Sequence, residues 1–385
     1  MRVWNFIIFF SVFLLVYGLV NYYIFVRGWA ALPARPGARY AYTIVVFVLS
    51  LSFFFGRILE RFTVCTVSTT AIWIGSFWFA CMLYLFIGFM CVDIARAFFA
   101  ITGAYPLVLY KNPDLSRRIV SAILLVITIA VVTSGYFNAN TAHIKKLNID
   151  IQGKKYGISS LNIVLVTDIH LGVIIGNSQL EKLVAMINGL NPDVVLFAGD
   201  IVDEDLRPVI NQNLGATLCS VKARYGVFAV TGNHEFIGGV EPAVKYLGEH
   251  GITVLRDSAV KIDDAFYIVG RDDRSCESFS GKKRMRLSDI MADVDRRYPV
   301  ILMDPQPLRL RNAAAEGVDL QLSGHTHHGQ LWPFNYITKK IYEISWGYDY
   351  IHPTHFYVSC GFGTWGPPVR VGNRPEVVNI RVNFL

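Results

Sequence analysis

Apolar positions are unevenly spread along this chain. Residues 3–26, 40–55, 64–92 and 119–137 are long apolar stretches nearly free of charge, each near the length that crosses about 30 Å of hydrocarbon. They predict four transmembrane helices. The first exceeds the apolar part of a cleaved signal peptide, about 7–15 residues, so it reads as a retained span. Segment 28–39, rich in Pro, Gly and Ala, reads as a connector, which makes Tyr40 a fresh start. From residue 138 the pattern changes to short apolar runs alternating with amphipathic segments, as in an α/β layered domain. Strands are expected at 162–167, 194–198, 226–230, 266–269, 300–303, 318–322, 356–359 and 377–382. A helix is expected at 178–190, where Leu180, Leu183, Val184 and Ile187 follow a Ser cap and Asn191-Pro192 ends the run. Another is expected at 241–250, ended by Gly251. Residues 1–137 thus form an anchor and 138–385 a second domain.

Composition agrees with an anchor. The chain is 53% hydrophobic with a mean hydropathy of +0.40, too apolar for an ordinary soluble protein of 385 residues. Up to residue 137 ten basic residues face three acidic ones, so this region carries the whole net charge of +7 and the remainder is balanced. A balanced domain lacks the electrostatic footprint of a nucleic-acid binder. Loops one and three carry Arg27, Arg35, Arg39, Arg96, Lys111, Arg117 and Arg118, against Arg2, Arg57, Arg61, Lys145 and Lys146 on the other side. Seven against five favours an extracytoplasmic C-terminal domain by a thin margin. Ionisable residues in the spans are confined to Asp93 and Arg96 at one end, which favours an anchor over a transport pathway. The six cysteines show no CxxC spacing and imply neither a disulfide framework nor a zinc knuckle.

Candidate chemistry sits at strand ends. Asp168 and His170 follow the first predicted strand of the second domain, Gly199, Asp200 and Asp203 the next, and Gly232, Asn233, His234 and Glu235 a third. Gly324, His325, His327 and His328 follow a later one, in the stretch SGHTHHGQ. Ligand sites in α/β sheets form beyond the carboxyl ends of strands, so these clusters should meet on one rim. Any one of them alone is an ordinary turn or cap. Together they offer oxygens and imidazoles without thiolate, which suits Mn, Fe, Zn or Mg.

The order Asp-x-His, Gly-Asp-x-x-Asp, Gly-Asn-His-Glu, Gly-His-Thr-His resembles the calcineurin-like metallophosphoesterases from about Leu161 onward. Gly329-Gln330 and the closing stretch Tyr357 to Arg370 are similar to the membrane-anchored bacterial branch, which places the chain in a bacterial cytoplasmic membrane. The resemblance implies a four-layer αββα sandwich with two divalent metal ions at its rim. Asp168, His170 and His327 would hold the first, Asp200 would bridge, Asn233 and His325 would hold the second, and His234 would stand beside the phosphoryl group. Two cations about 3.5–4 Å apart clamp phosphate oxygens and generate a hydroxide nucleophile. Glycines 199, 232 and 324 would let the backbone turn sharply before each ligand.

One position departs from the family. The anchored branch has a histidine in a stretch resembling Leu-Asp-His-Gln-Pro, whereas this chain reads VILMDPQPLRL over 300–310 and places Pro305 there. Either the second metal site is a weak one, or Asp304 or His328 turns in. Asp203, Glu235, Asp272, Asp273 and His328 are candidates for orienting ligand rings, with solvated caps as the alternative. Arg370 would receive a substrate phosphate or form a structural salt bridge. The run Lys282 to Arg286 reads as a solvated loop or a contact to anionic lipid headgroups. The resulting expectation is a membrane-anchored phosphoesterase acting on a phosphorylated, lipid-linked substrate, among membrane lipids and without nucleic acid. The alternatives are a phosphatase of small soluble esters and a catalytically weak metal-binding or sensory protein.

Overall fold

A computed structural model of the chain describes residues 2–103, 112–154 and 157–385; Lys111, counted above with the third loop, lies outside them. The chain divides into two compact units, Met1–Tyr136 with Gly366–Val369, and Phe137–Trp365 with Arg370–Leu385. Among the described residues of the first, four helices are long and apolar enough to cross a membrane: α1 (Arg2–Ala31), α2 (Pro36–Phe62), α3 (Thr66–Thr102) and α4 (Pro113–Ala139). The connector between the first two is shorter than expected, because α1 continues through Gly28 to Ala31 and α2 begins at Pro36, where a proline's missing N–H costs nothing. Several polar groups inside this unit pair across helices. Trp78 Nε1 donates to Asn21 Oδ1 at 2.9 Å and Tyr17 donates to the carbonyl of Ser50 at 2.7 Å. Asp93 accepts from Tyr23 and pairs with Arg27, with Arg96 at 4.0 Å.

The second unit is built on two six-stranded sheets. The strands are β1 (His143–Ile151), β2 (Ser160–Val166), β3 (Val194–Ala198), β4 (Val227–Val230), β5 (Ile252–Val254), β6 (Ser258–Ile262), β7 (Phe266–Gly270), β8 (Val300–Met303), β9 (Leu320–Ser323), β10 (Gly347–Ile351), β11 (Thr354–Val358) and β12 (Glu376–Phe384). One sheet runs β1-β12-β2-β3-β4-β5 and the other β10-β11-β9-β8-β7-β6. β2, β3 and β4 are parallel, as are β7, β8 and β9, so their carboxyl ends line up.

Side-chain alternation accounts for the layers. Leu161, Ile163 and Leu165 of β2 pack with Ile268, Ile301 and Leu322 of the second sheet in one buried core. The alternate residues Val269, Val300, Leu302 and Phe356 face outward and are covered by Leu287, Ile290, Leu310 and Ala313 of short helices. Strands covered on both faces read as continuous apolar runs. Helix α5 (Asn177–Gly189) buries Leu180, Leu183, Val184 and Ile187 as its spacing predicts. The expected Ser178 cap is corrected: the helix starts one residue earlier with Gly176 at the cap and no side-chain cap bond, and Asn177 instead donates to Glu181. Helix α6 (Val240–Glu249) precedes Gly251.

Leu165 is fully buried between β12 and β3. Leu165→Ala is expected to lower unfolding stability by about 2–5 kcal/mol, measured as a shift in the denaturation midpoint of the protein in detergent micelles.

Candidate metal centre

The loops after β2, β3, β4 and β9 carry the predicted residues to one rim. Their backbone is unusual, since Asp168, His170, Asp200, His325 and His327 all have φ between +44° and +71°, the left-handed region that favours glycine. Such conformations cost of order 1–3 kcal/mol each and persist where surrounding structure enforces them. The three glycines act differently from one another. Gly199, at φ +97°, supplies a turn. Gly232 and Gly324 supply space, because a Cβ there would lie 2.2 Å from Asp200 Oδ1 and 2.4 Å from Asp168 Oδ2. The expectation of sharp turning at all three is thus corrected for two.

Donor atoms of Asp168, His170 and His327 lie within 4.8 Å of one another, all buried. His170 Nε2 is 3.0 Å from His327 Nε2, which is 3.8 Å from Asp168 Oδ1. Burial pushes the His170 ring down to about 4 and His327 well below the usual imidazole range, so both are neutral with a lone pair to offer. Burial pushes Asp168 up to about 6 and raises Asp200 well above the usual carboxylate range. The His325 amide donates to both oxygens of Asp168 and the His234 amide to Asp200 Oδ1 at 2.8 Å. Asn233 Oδ1 is buried with no hydrogen-bond partner, an open acceptor in an enclosed polar site. This donor set fits a divalent cation. Asp200, Asn233 and His325 lie outside the two groups of His and acidic side chains that converge closely enough for one ion.

The second group is His170, Asp203 and His234. Asp203 Oδ1 stands 3.1 Å from His234 Nδ1 and 3.7 Å from His170 Nδ1. One carboxylate therefore faces the same nitrogen of two rings and sets which nitrogen each turns away. Burial alone would lower His234, but Asp203, Asp200 and Glu204 outweigh it and push it up to about 10.

Glu235 ties the loops together. Its carboxylate accepts from the amides of Asp200, Val202 and Gly232 at 3.2, 2.8 and 2.7 Å. Asp272 accepts from Thr231 and Arg256, bracing the β4 loop. Burial pushes the His325 imidazole below its usual range, and the neighbouring Asp273, which accepts from the Ser275 amide, opposes this only in part.

Arg370 is fully buried and, among the described residues, forms no direct ion pair. Its fully buried guanidinium donates to the carbonyls of Cys360, Gly361 and Gly363 and to Asn373 Oδ1, and reaches His327 Nδ1 at 3.3 Å. Both earlier readings, phosphate receptor and salt bridge, give way to a clamp on the histidine loop, which Asn373 completes by donating to the His327 carbonyl at 2.7 Å. Asn373 had no sequence signal.

Neither substitute for the missing histidine turns in. Asp304 is buried between Arg271 and Arg284, at 3.2 and 2.6 Å, and His328 meets Ser345 Oγ at 3.1 Å with its ring against Trp346. Pro305 itself stands at the rim, accepting from the Gly324 amide at 3.1 Å, with its Cβ 3.1 Å from where a Gly199 Cβ would be. In the run 282–286, Lys282, Lys283, Met285 and Arg286 are exposed as a solvated loop requires, and Arg284 is the exception, paired with Asp304.

Residues 161–329 match the family described as calcineurin-like phosphoesterase. An uncharacterized metallophosphoesterase of Campylobacter jejuni is 30% identical, with 97% of each chain covered. A transmembrane protein with metallophosphoesterase domain from Danio rerio is 31% identical over 66% of this chain and 61% of its own. A solved dimetal phosphatase from Danio rerio aligns with a TM-score of 0.35 and 13% identity, covering 54% of this chain and 89% of that one.

Glu235→Ala would leave three amides of two ligand loops without their acceptor. It is expected to cost at least about 2 kcal/mol of stability and to weaken metal retention, measured by unfolding midpoint and by metal content after dialysis.

Proposed function

The chain belongs to the calcineurin-like metallophosphoesterases, and from that premise we propose that it is a membrane-anchored hydrolase cleaving a phosphoester or pyrophosphate bond. The convergence of Asp168, His170 and His327 at strand ends carries this reading. These three would hold a first cation, and Asn233 and His325 would serve a second, with Asp200 available to both. Divalent cations bound there supply charge for phosphoryl oxygens and acidify a water molecule. His234, faced by Asp203 at Nδ1, offers Nε2 to steady developing charge or to give a proton to the leaving oxygen. Asp203 keeps that ring in one orientation, and Glu235 and Arg370 hold the ligand loops from behind.

The four apolar helices favour a lipid-linked substrate, because an anchored site meets bilayer substrates at high effective concentration. The distribution of basic residues among the loops favours a catalytic unit on the extracytoplasmic side of a bacterial cytoplasmic membrane. Purified protein supplied with Mn, Fe, Zn or Mg should turn over at least one of a set of monoesters, diesters, nucleotide pyrophosphates and phospholipids. Metal binding with turnover on none of them would support a catalytically weak metal-binding or sensory role instead.

Asp200→Asn is expected to abolish nearly all hydrolysis while leaving the unfolding midpoint close to wild type. Activity within tenfold of wild type, a loss of only about 1.4 kcal/mol, would count against a shared carboxylate. Pro305→His is expected to tighten the more weakly held cation at least tenfold in a chelator competition without changing the other. An unchanged competition curve would mean that a side chain at 305 does not reach the ligands.

A further inference from the structure

A cavity of about 600 Å³ opens among Arg271, Arg274, Arg284, Arg309, Glu277 and neighbouring residues. Its volume falls in the range of small-ligand sites, about 300–1,000 Å³. Its walls are cationic beyond what the protein neutralises. Arg271 and Arg284 share one carboxylate, Asp304, and the Nε of each is buried with no hydrogen-bond partner among the described residues. The Arg284 side chain is 8% exposed. Arg274 and Arg309 form no ion pair among the described residues, and Arg309 is held in left-handed backbone at φ +58°. Burial, then the charges of Arg284 and Arg309, push the Arg274 guanidinium below its usual range, with Asp304 and Asp273 opposing only in part.

The position is informative. Arg271 follows β7 directly, and Asp304 follows β8 and precedes Pro305 at the metal rim. β7, β8 and β9 are parallel, so the cavity opens at the same end of the sheet as His325 and His327.

We propose that this arginine-lined cavity binds a second phosphate group of the substrate, one that is not hydrolysed. Guanidinium forks match phosphate oxygens in pairs, and a concave cationic wall concentrates an anion. The inference rests on the hydrolase reading for its place in catalysis, and narrows the substrate to molecules bearing two phosphate groups, pyrophosphate-linked or separated by a short spacer. A phosphorylated lipid headgroup and a soluble phosphate ester present the same chemistry.

The test is calorimetric titration of inorganic pyrophosphate into the full-length protein in uncharged detergent micelles, with EDTA present so that bound metal cannot supply the affinity. Wild type is expected to bind saturably below about 1 mM, R274A/R309A at least tenfold more weakly, and Glu277→Gln more tightly, a gain that a damaged fold could not produce. Competition by phosphatidic acid but not glycerol 3-phosphate would identify a lipid headgroup as the source, and the reverse a soluble ester. In the kinetic arm, kcat/KM of R274A/R309A for a nucleoside diphosphate should fall at least tenfold further than for p-nitrophenyl phosphate. Absence of saturable binding, or equal binding by wild type and R274A/R309A, would overturn the inference whatever the protein hydrolyses. Intact binding with no turnover of any substrate would overturn the hydrolase reading alone.

Discussion

Two aspartates, Asp168 and Asp200, are almost wholly removed from water at the edge of an apolar sandwich, and the local structure is organised around keeping them there. An ionised carboxylate in such a place is costly unless hydrogen-bonded and matched by positive charge. The protein supplies the hydrogen bonds itself, through the amides of His325 and His234. To aim those amides the ligand-bearing residues adopt left-handed backbone, and Gly232 and Gly324 vacate the space the carboxylates occupy. Glu235 and Arg370 then hold the strained loops from behind, one as a sink for three amides, the other as a donor to three carbonyls.

Much of this was legible in sequence because parallel strands covered on both faces leave uninterrupted apolar runs. β3 and β8 lie at their expected positions, and the clusters that follow β2, β3, β4 and β9 meet on one rim. β1, β5, β6 and β10 left no such signal. β1 carries Lys145, Lys146 and Asp150 on a strand paired with β12 alone, and β5 is three residues long. Short or edge strands need not be apolar on both faces.

Partnerships across sequence were equally hidden. Asp304 is a candidate from sequence to replace the missing histidine, yet it is committed to Arg271 and Arg284, 33 and 20 residues away. Arg370 reads from sequence as a phosphate receptor or a salt-bridge partner, and spacing does not reveal the carbonyls that converge on it. The rim therefore has two electrostatic characters. Anionic and imidazole donors lie over β2, β3, β4 and β9, and an excess of guanidinium lies over β7 and β8, with Pro305 on the border.

The place of β12 has a consequence for how the protein comes into being. It is made after every other strand, yet it lies between β1 and β2 and is the neighbour through which β1 joins its sheet. During synthesis all the ligand loops leave the ribosome while that sheet is still split. The four apolar helices, made first, enter the bilayer before the sheet can close. Early membrane capture is thereby separated in time from late assembly of the rim, and a nascent chain is tethered to its surface before it can hold a cation or act on anything.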